Sequence, residues 1–277
     1  MKKIFFLFLL AFFSAQTLIA QTTADSLALV SADWQMTLLQ KNILCRKAAF
    51  TFLYGVPQEV SILEIAPKHY NLDILIHQPV EATSTAARSS GAVVALNGSY
   101  FNMKTGASVC YLSKDGVVVD TTSTGTLGTV TNGAVFIQRG RLHLIPWNAQ
   151  IEKTYNQKRG SILASGPLML LDGKVCDFSA CSQNFVNTKH PRSAVVLTKD
   201  KKILLIVVDG RRKGKAEGIT IPELTHMVRV LGGKDALNLD GGGSSTLWSA
   251  SMPGSGIVNT PSGSAERKVA NSLCIYE

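Results

Sequence analysis

The chemistry in this chain concentrates where Leu237-Asn238-Leu239-Asp240 runs into Gly241-Gly242-Gly243-Ser244-Ser245. Strand side chains alternate, so Asn238 and Asp240 face away from Leu237 and Leu239. Glycines let a ligand approach the main chain, and a turn of this kind can aim several N–H groups at one anion. The plainer reading is a tight turn capped by its own Asp240. No Gly-Lys-Ser/Thr follows, so the turn is not a Walker A loop. Other polar groups stand at strand ends. Asn97 ends the apolar run Ala92–Leu96. Arg192 opens the strand Ala194–Leu197, and Asp209 with Arg211 closes Ile203–Val208. In an antiparallel hairpin, Arg192 and Asp209 lie side by side, away from the turn, where they could share a site. Two arginines and an N–H-rich loop suit a phosphate. Two carboxylates, Asp209 and Asp240, suit acid–base or nucleophilic work at a glycosidic carbon. The competing reading is that Asp209 neutralises Arg192 or Arg211.

These residues need many short strands to hold them. Runs at 51–55, 59–65, 72–76, 117–119, 161–164 and 168–171 read as strands, with Val56-Pro57 parting the first two. Residues 134–138 and 141–145 form a hairpin across Arg139-Gly140, and 269–276 closes the chain as a strand. Ser31–Leu44 is either a helix or an irregular edge, 84–90 is a short helix, and 184–189 is a polar loop. Thr220 and Glu223 form a capping box, with Ile221, Leu224, Met227 or Val228, and Leu231 on one apolar face. The fold class is therefore α+β, mostly antiparallel sheet with a few packed helices. Residues 262–267 form a mobile loop near the glycine turn.

Met1-Lys2-Lys3, an apolar stretch and Ala20 form an export signal over residues 1–20. Residues 21–90 are N-terminal strands and helix of the same globular unit, and residues 91–277 carry the site. The exported chain would be periplasmic or extracellular, with no stable membrane insertion after cleavage. Residues 21–277 hold 26 basic and 19 acidic side chains, an excess that favours anionic ligands. No basic stripe is interleaved with aromatics, so nucleic acid is not a partner. Of the five cysteines, Cys176 and Cys181 are close enough in sequence to close a disulfide loop in an oxidising compartment. The histidines lack HExxH or HxH spacing, which disfavours zinc. Asp209, Asn238 and Asp240 could offer oxygens to Ca²⁺ or Mg²⁺, although no metal is required. The sequence specifies no oligomeric state.

Four segments, in order, resemble the phosphodiester glycosidase family. They are Ala95–Phe101, Ser165–Leu168, His190–Ala194 with Val208–Arg211, and Leu239–Thr246. Where the family commonly has a second glycine and two phenylalanines after Asn-Gly, this chain has Ser99-Tyr100-Phe101. The resemblance implies an enzyme that hydrolyses a sugar-1-phosphodiester, such as an N-acetylglucosamine-1-phosphodiester, to free sugar and a phosphomonoester. The substrate would be a small molecule or a glycan. On this reading Arg192, Arg211 and the Gly241–Ser245 turn hold the phosphate, Asn97 orients the substrate, and Asp240 or Asp209 activates water. Two other classes fit the same residues: an exported glycan-binding protein without turnover, and a metal-dependent phosphodiesterase.

Overall fold

The structure, a computed structural model, describes residues 23–156 and 160–277. The expected export segment at 1–20 lies outside the described residues. Among them no helix is long and apolar enough to cross a membrane.

An eight-stranded sheet runs in the order β1 (Gln35–Gln40), β2 (Ile43–Leu53), β3 (Val56–Ile65), β14 (Ile203–Val208), β13 (Arg192–Thr198), β15 (Gly233–Asn238), β11 (Leu168–Leu171) and β12 (Lys174–Val175). A five-stranded sheet is ordered β7 (Val117–Asp120), β6 (Leu112–Lys114), β10 (Ser161–Ser165), β8 (Gly133–Gln138), β9 (Arg141–Pro146). A four-stranded sheet is ordered β16 (Leu247–Ser249), β5 (Val94–Asn97), β17 (Lys268–Tyr276), β4 (Asn71–Ala82). The paired strands are antiparallel, so the fold is α+β as expected.

Alternation along the central strands makes two cores. Val195, Leu205, Val207 and Leu237 meet Leu96, Val135, Leu144 and Leu273 of the smaller sheets. Ala194, Val196, Leu204, Ile206 and Val208 face the other way, under the helices. Those helices are α1 (residues 23–30), α4 (Gln183–Asn187) and α5 (Ile221–Val230), which supply Leu29, Val186, Leu224, Met227 and Val228. This double coverage explains why β14 is apolar throughout. Each such aliphatic side chain contributes roughly 1.5–3 kcal/mol on full burial. Two further helices, α2 (Thr83–Ser90) and α3 (Ala149–Thr154), pack on the smaller sheets. The Thr220–Glu223 capping box is formed.

Three local expectations change. The hairpin between β2 and β3 turns at Tyr54-Gly55, both at positive φ, rather than at Val56-Pro57. Pro57 lies beside a register shift, where a missing N–H costs little. Residues 31–44 hold the edge strand β1 and the start of β2; the helix precedes them at 23–30. The polar 184–189 segment is largely the helix α4, because the Ser182 side chain accepts from the Phe185 N–H and caps it.

Candidate functional site

The β14 end, the β13 start and the β15 end lie together, with Arg192 opposite Val208 and Ala194 opposite Asn238. β5 arrives from the small sheet and ends at Asn97. The Asn97 amide is fully buried and hydrogen-bonded through both its nitrogen and its oxygen. It donates to the Asp240 carbonyl at 2.6 Å and accepts from Ser193 Oγ at 2.7 Å and the Thr246 N–H at 3.1 Å. Asn97 therefore fastens the glycine turn to two strands, and its side chain holds the turn rather than facing a ligand.

The turn is a short 3-10 helix over Gly242–Ser244. Most of its N–H groups already have partners. Gly242 donates to the Pro191 carbonyl, Ser244 to Gly241 and Ser245 to Gly242. The Gly241 N–H turns back to the Asp240 carboxylate. The N–H groups of Gly241, Gly242, Ser244 and Ser245 thus already have partners, two of them through i→i+3 bonds, and do not form the expected open nest for an anion.

Two cationic side chains lie over the turn. The Arg211 guanidinium approaches Gly242, with Nη2 2.9 Å from where a β-carbon would sit. Arg267 lies over Gly243 so closely that a side chain there would have to displace it, and its Nη1 is 3.4 Å from Ser244 Oγ. The absence of side chains at Gly242 and Gly243 is what admits two guanidinium groups. Arg211 itself stands at φ +60°, a left-handed conformation that aims the side chain out of the strand end. Arg267 was not among the expected site residues; a single arginine in a Gly/Ser loop has no spacing signal.

Asp240 sits beside them, recessed but partly open to solvent. Burial pushes its carboxyl up to about 6, against the opposing pull of the Ser244 hydrogen bond, Arg267, the Gly241 N–H and Arg211. Tyr100 completes the wall. Its hydroxyl donates to the Gly166 carbonyl at 2.5 Å and accepts from Asn238 Nδ2 at 2.9 Å. Burial, then Asp240, hold that phenol well above its ordinary range. His190 is held below the usual histidine range by burial, then by Arg192 and Arg211.

Asp209 and Arg192 do not join this group by hydrogen bonds. Asp209 is buried; its oxygens accept from Asn259 Nδ2 at 3.0 Å, the Thr260 N–H at 3.0 Å and Arg212 at 3.2 Å. Burial nevertheless raises it to about 6. Asn259 also donates to the Ser245 carbonyl, so Asp209 braces the turn from behind. Arg192 is 2% exposed. It donates to the carbonyls of Ile219, Phe185 and Thr188 and lies 4.5 Å from the Phe185 ring centre. Burial draws its guanidinium down to about 10. The strand-end neighbourhood of Arg192 and Asp209 is real, but their side chains leave it in different directions.

Of the oxygen set Asp209, Asn238 and Asp240, Asp209 is turned to Asn259, Thr260 and Arg212, while Asn238 donates through Nδ2 to Tyr100 and Gly166 and leaves its buried Oδ1 without a hydrogen bond. Among the described residues no group of three or more His, Cys, Asp or Glu is arranged to hold a metal ion. The five cysteines are free thiols, and the Cys176–Cys181 loop closure expected above is not formed. Cys176 packs against the inner core and Cys181 belongs to the helix-side core, on opposite faces of the sheet.

The profile of the phosphodiester glycosidase family matches residues 90–276. The chain belongs to this family. It is 29% identical over 198 residues to the SPbeta prophage-derived protein YomE of Bacillus subtilis (strain 168), covering 70% of this chain and 29% of that protein. It is 25% identical over 211 residues to bovine (Bos taurus) N-acetylglucosamine-1-phosphodiester alpha-N-acetylglucosaminidase, covering 69% of this chain and 38% of the relative. The chain thus spans between a quarter and two-fifths of the length of these relatives. Among solved structures, the zebrafish catalytic domain of that glycosidase, auto-inhibited by its pro-peptide, superposes with TM-score 0.68 at 20% identity, covering 88% of each chain. A protein from Synechocystis superposes with TM-score 0.64 at 15% identity, covering 88% of this chain and 64% of that one. These two likenesses are of fold.

Proposed function

We propose that this chain is an exported hydrolase that cleaves the glycosidic C–O bond of a sugar-1-phosphodiester. The observation that carries the reading is the pair Arg211 and Arg267, set over Gly242 and Gly243 beside the Asp240 carboxylate. Two guanidinium groups recognise a phosphodiester and stabilise the charge that grows on it as it leaves. A carboxylate with a pKa of about 6 is a stronger base than an ordinary aspartate and is still mostly ionised at neutral pH.

In the reaction, a water oxygen bonds to the anomeric carbon as its proton passes to Asp240. The bond from that carbon to the phosphoryl oxygen breaks, and its electron pair stays with the phosphate under Arg211 and Arg267. The products are free sugar and a phosphomonoester. A phosphomonoester leaves readily, so the site needs charge stabilisation more than a strong acid. Arg192 and Asp209 support the walls. The bovine relative's name points to N-acetylglucosamine as the sugar to test first.

The test is release of free sugar from UDP-N-acetylglucosamine and an N-acetylglucosamine-1-phosphodiester by the mature chain. Wild type should turn over, while Asp240→Asn and Arg211→Ala should lose most of that turnover. Saturable binding without release would mean a binding protein instead.

A further inference from the structure

A second charged concavity lies at the opposite end of the same central strands. β13 runs from Arg192 at the candidate site to Thr198, which lines this groove. Seven strand residues separate the two by about 20 Å. The groove has a volume of about 610 Å³, within the range of ordinary ligand sites.

Its walls are tight turns that each present a cation. Lys68 comes from the 3-10 turn Pro67–His69, and Lys201 from the turn after β13, at φ +64°. Arg139 and Arg141 come from the β8–β9 hairpin, whose turn places Arg139 at φ +51°. All four are exposed, and among the described residues none has a carboxylate within ion-pair reach. Lys234 also lines the groove but is paired with Asp172 at 3.1 Å. The one carboxylate in the lining, Asp235, accepts from the Asp172 N–H at 2.6 Å. The floor is apolar: Tyr70, Leu142 and Ile203 are buried there.

Four unpaired cations around one concavity repel each other, a cost that stability alone does not reward. An anionic ligand removes that cost. Cations on several walls above an apolar floor suit a flexible chain lying in the groove better than a flat bilayer. Sugar rings present apolar faces for the floor and can carry the anionic groups for the walls. We propose that this groove binds a linear anionic polysaccharide, independently of the Asp240 site. It would hold the protein on a polyanionic glycan while the other end of the sheet does its chemistry.

The test measures binding of a dextran sulfate oligosaccharide to the mature protein by calorimetry at low and physiological salt. Uncharged dextran of the same length and phosphatidylglycerol vesicles serve as comparators. The triple variant Arg139→Ser, Arg141→Ser, Lys201→Ser should weaken dextran sulfate binding by about tenfold or more, with loss of most of the salt dependence. A control triple at exposed lysines outside the groove, Lys104→Ser, Lys153→Ser, Lys174→Ser, and the single variant Asp240→Asn should both bind within about twofold of wild type. Circular dichroism of each variant confirms the fold. Equal losses in both triples would reduce the effect to net charge, loss in Asp240→Asn would assign it to the other site, and tighter groove-dependent binding to the vesicles would make the occupant a membrane surface. Any of these, or no binding of dextran sulfate at all, overturns the proposal. Because the groove is read out by binding alone, failure of sugar release at Asp240 leaves this result intact.

Discussion

Arg267 occupies the space over Gly243 that any side chain would need, one turn beyond Asp240. The turn and the arginine are therefore one device: the glycine is there so that a guanidinium can lie against the backbone. Gly243→Ala should displace Arg267 and lower kcat/KM for a sugar-1-phosphodiester by about tenfold or more, as expected when a positioned charge moves. Arg267→Ala should cost a similar amount. The double variant should be no worse than the poorer single one, because both remove the same interaction. Additive losses would separate the two residues.

The acid limb of kcat/KM should fall near pH 6, the value to which burial lifts Asp240. Activity should rise with pH through that limb if the ionised carboxylate receives a proton from water. Arg267 and Arg211 hold the carboxyl down. Removing either should move the limb to higher pH in the residual activity. A limb that stays in place, or moves down, would contradict the role given to Asp240.

The same carboxyl costs stability where it is ionised. Its pKa in the folded chain, about 6, exceeds the unfolded value of about 3.9. The folded state then holds the proton more tightly, so this group's contribution is fullest below the unfolded value and is lost as pH rises through the folded one. Asp240→Asn should consequently raise Tm at about pH 8, by a few degrees at roughly 2–4 °C per kcal/mol for a domain of this size. The gain should shrink toward about pH 4, where the aspartic acid is itself neutral. Thermal melts of both proteins across this window check the sign.

Arg192 and Arg211 should fail in different ways. Arg192→Ala strips donors from the Ile219, Phe185 and Thr188 carbonyls and empties a buried volume. It should destabilise the fold by about 2–4 kcal/mol, as loss of buried hydrogen bonds and packing does. Arg211 is exposed beside Gly242. Arg211→Ala should leave Tm within about 2 °C, since surface substitutions usually cost little, and remove most turnover. Denaturant unfolding and initial rates on the same preparations distinguish the two.

Much of the architecture was legible because local signals were strong. The apolar run Ile203–Val208, the Arg139-Gly140 hairpin turn and the Thr220–Glu223 capping box each appear where pattern and turn chemistry place them. β2 was not, since its inward residues include Cys45 and Ala48, which give little contrast with their neighbours. Sequence also located the end of the sheet where Asn97, Arg192, Asp209 and Asp240 gather. It did not say which way the side chains go. Asn97 and Asp209 turn inward to brace the glycine turn, and Arg192 runs under α4; only tertiary partners decide those directions. The loop 262–267 was placed near the glycine turn, but Arg267 was not singled out within it, because its position over Gly243 is a tertiary contact with no sequence spacing to mark it.

The most direct test of the central claim follows the oxygen of water. Hydrolysis of an N-acetylglucosamine-1-phosphodiester in ¹⁸O-enriched water, with early sampling and mass analysis of both products, reports which bond breaks. Label in the sugar and none in the phosphomonoester is the outcome expected from attack at the anomeric carbon beside Asp240. Label in the phosphate would place the attack at phosphorus and contradict the glycosidase account.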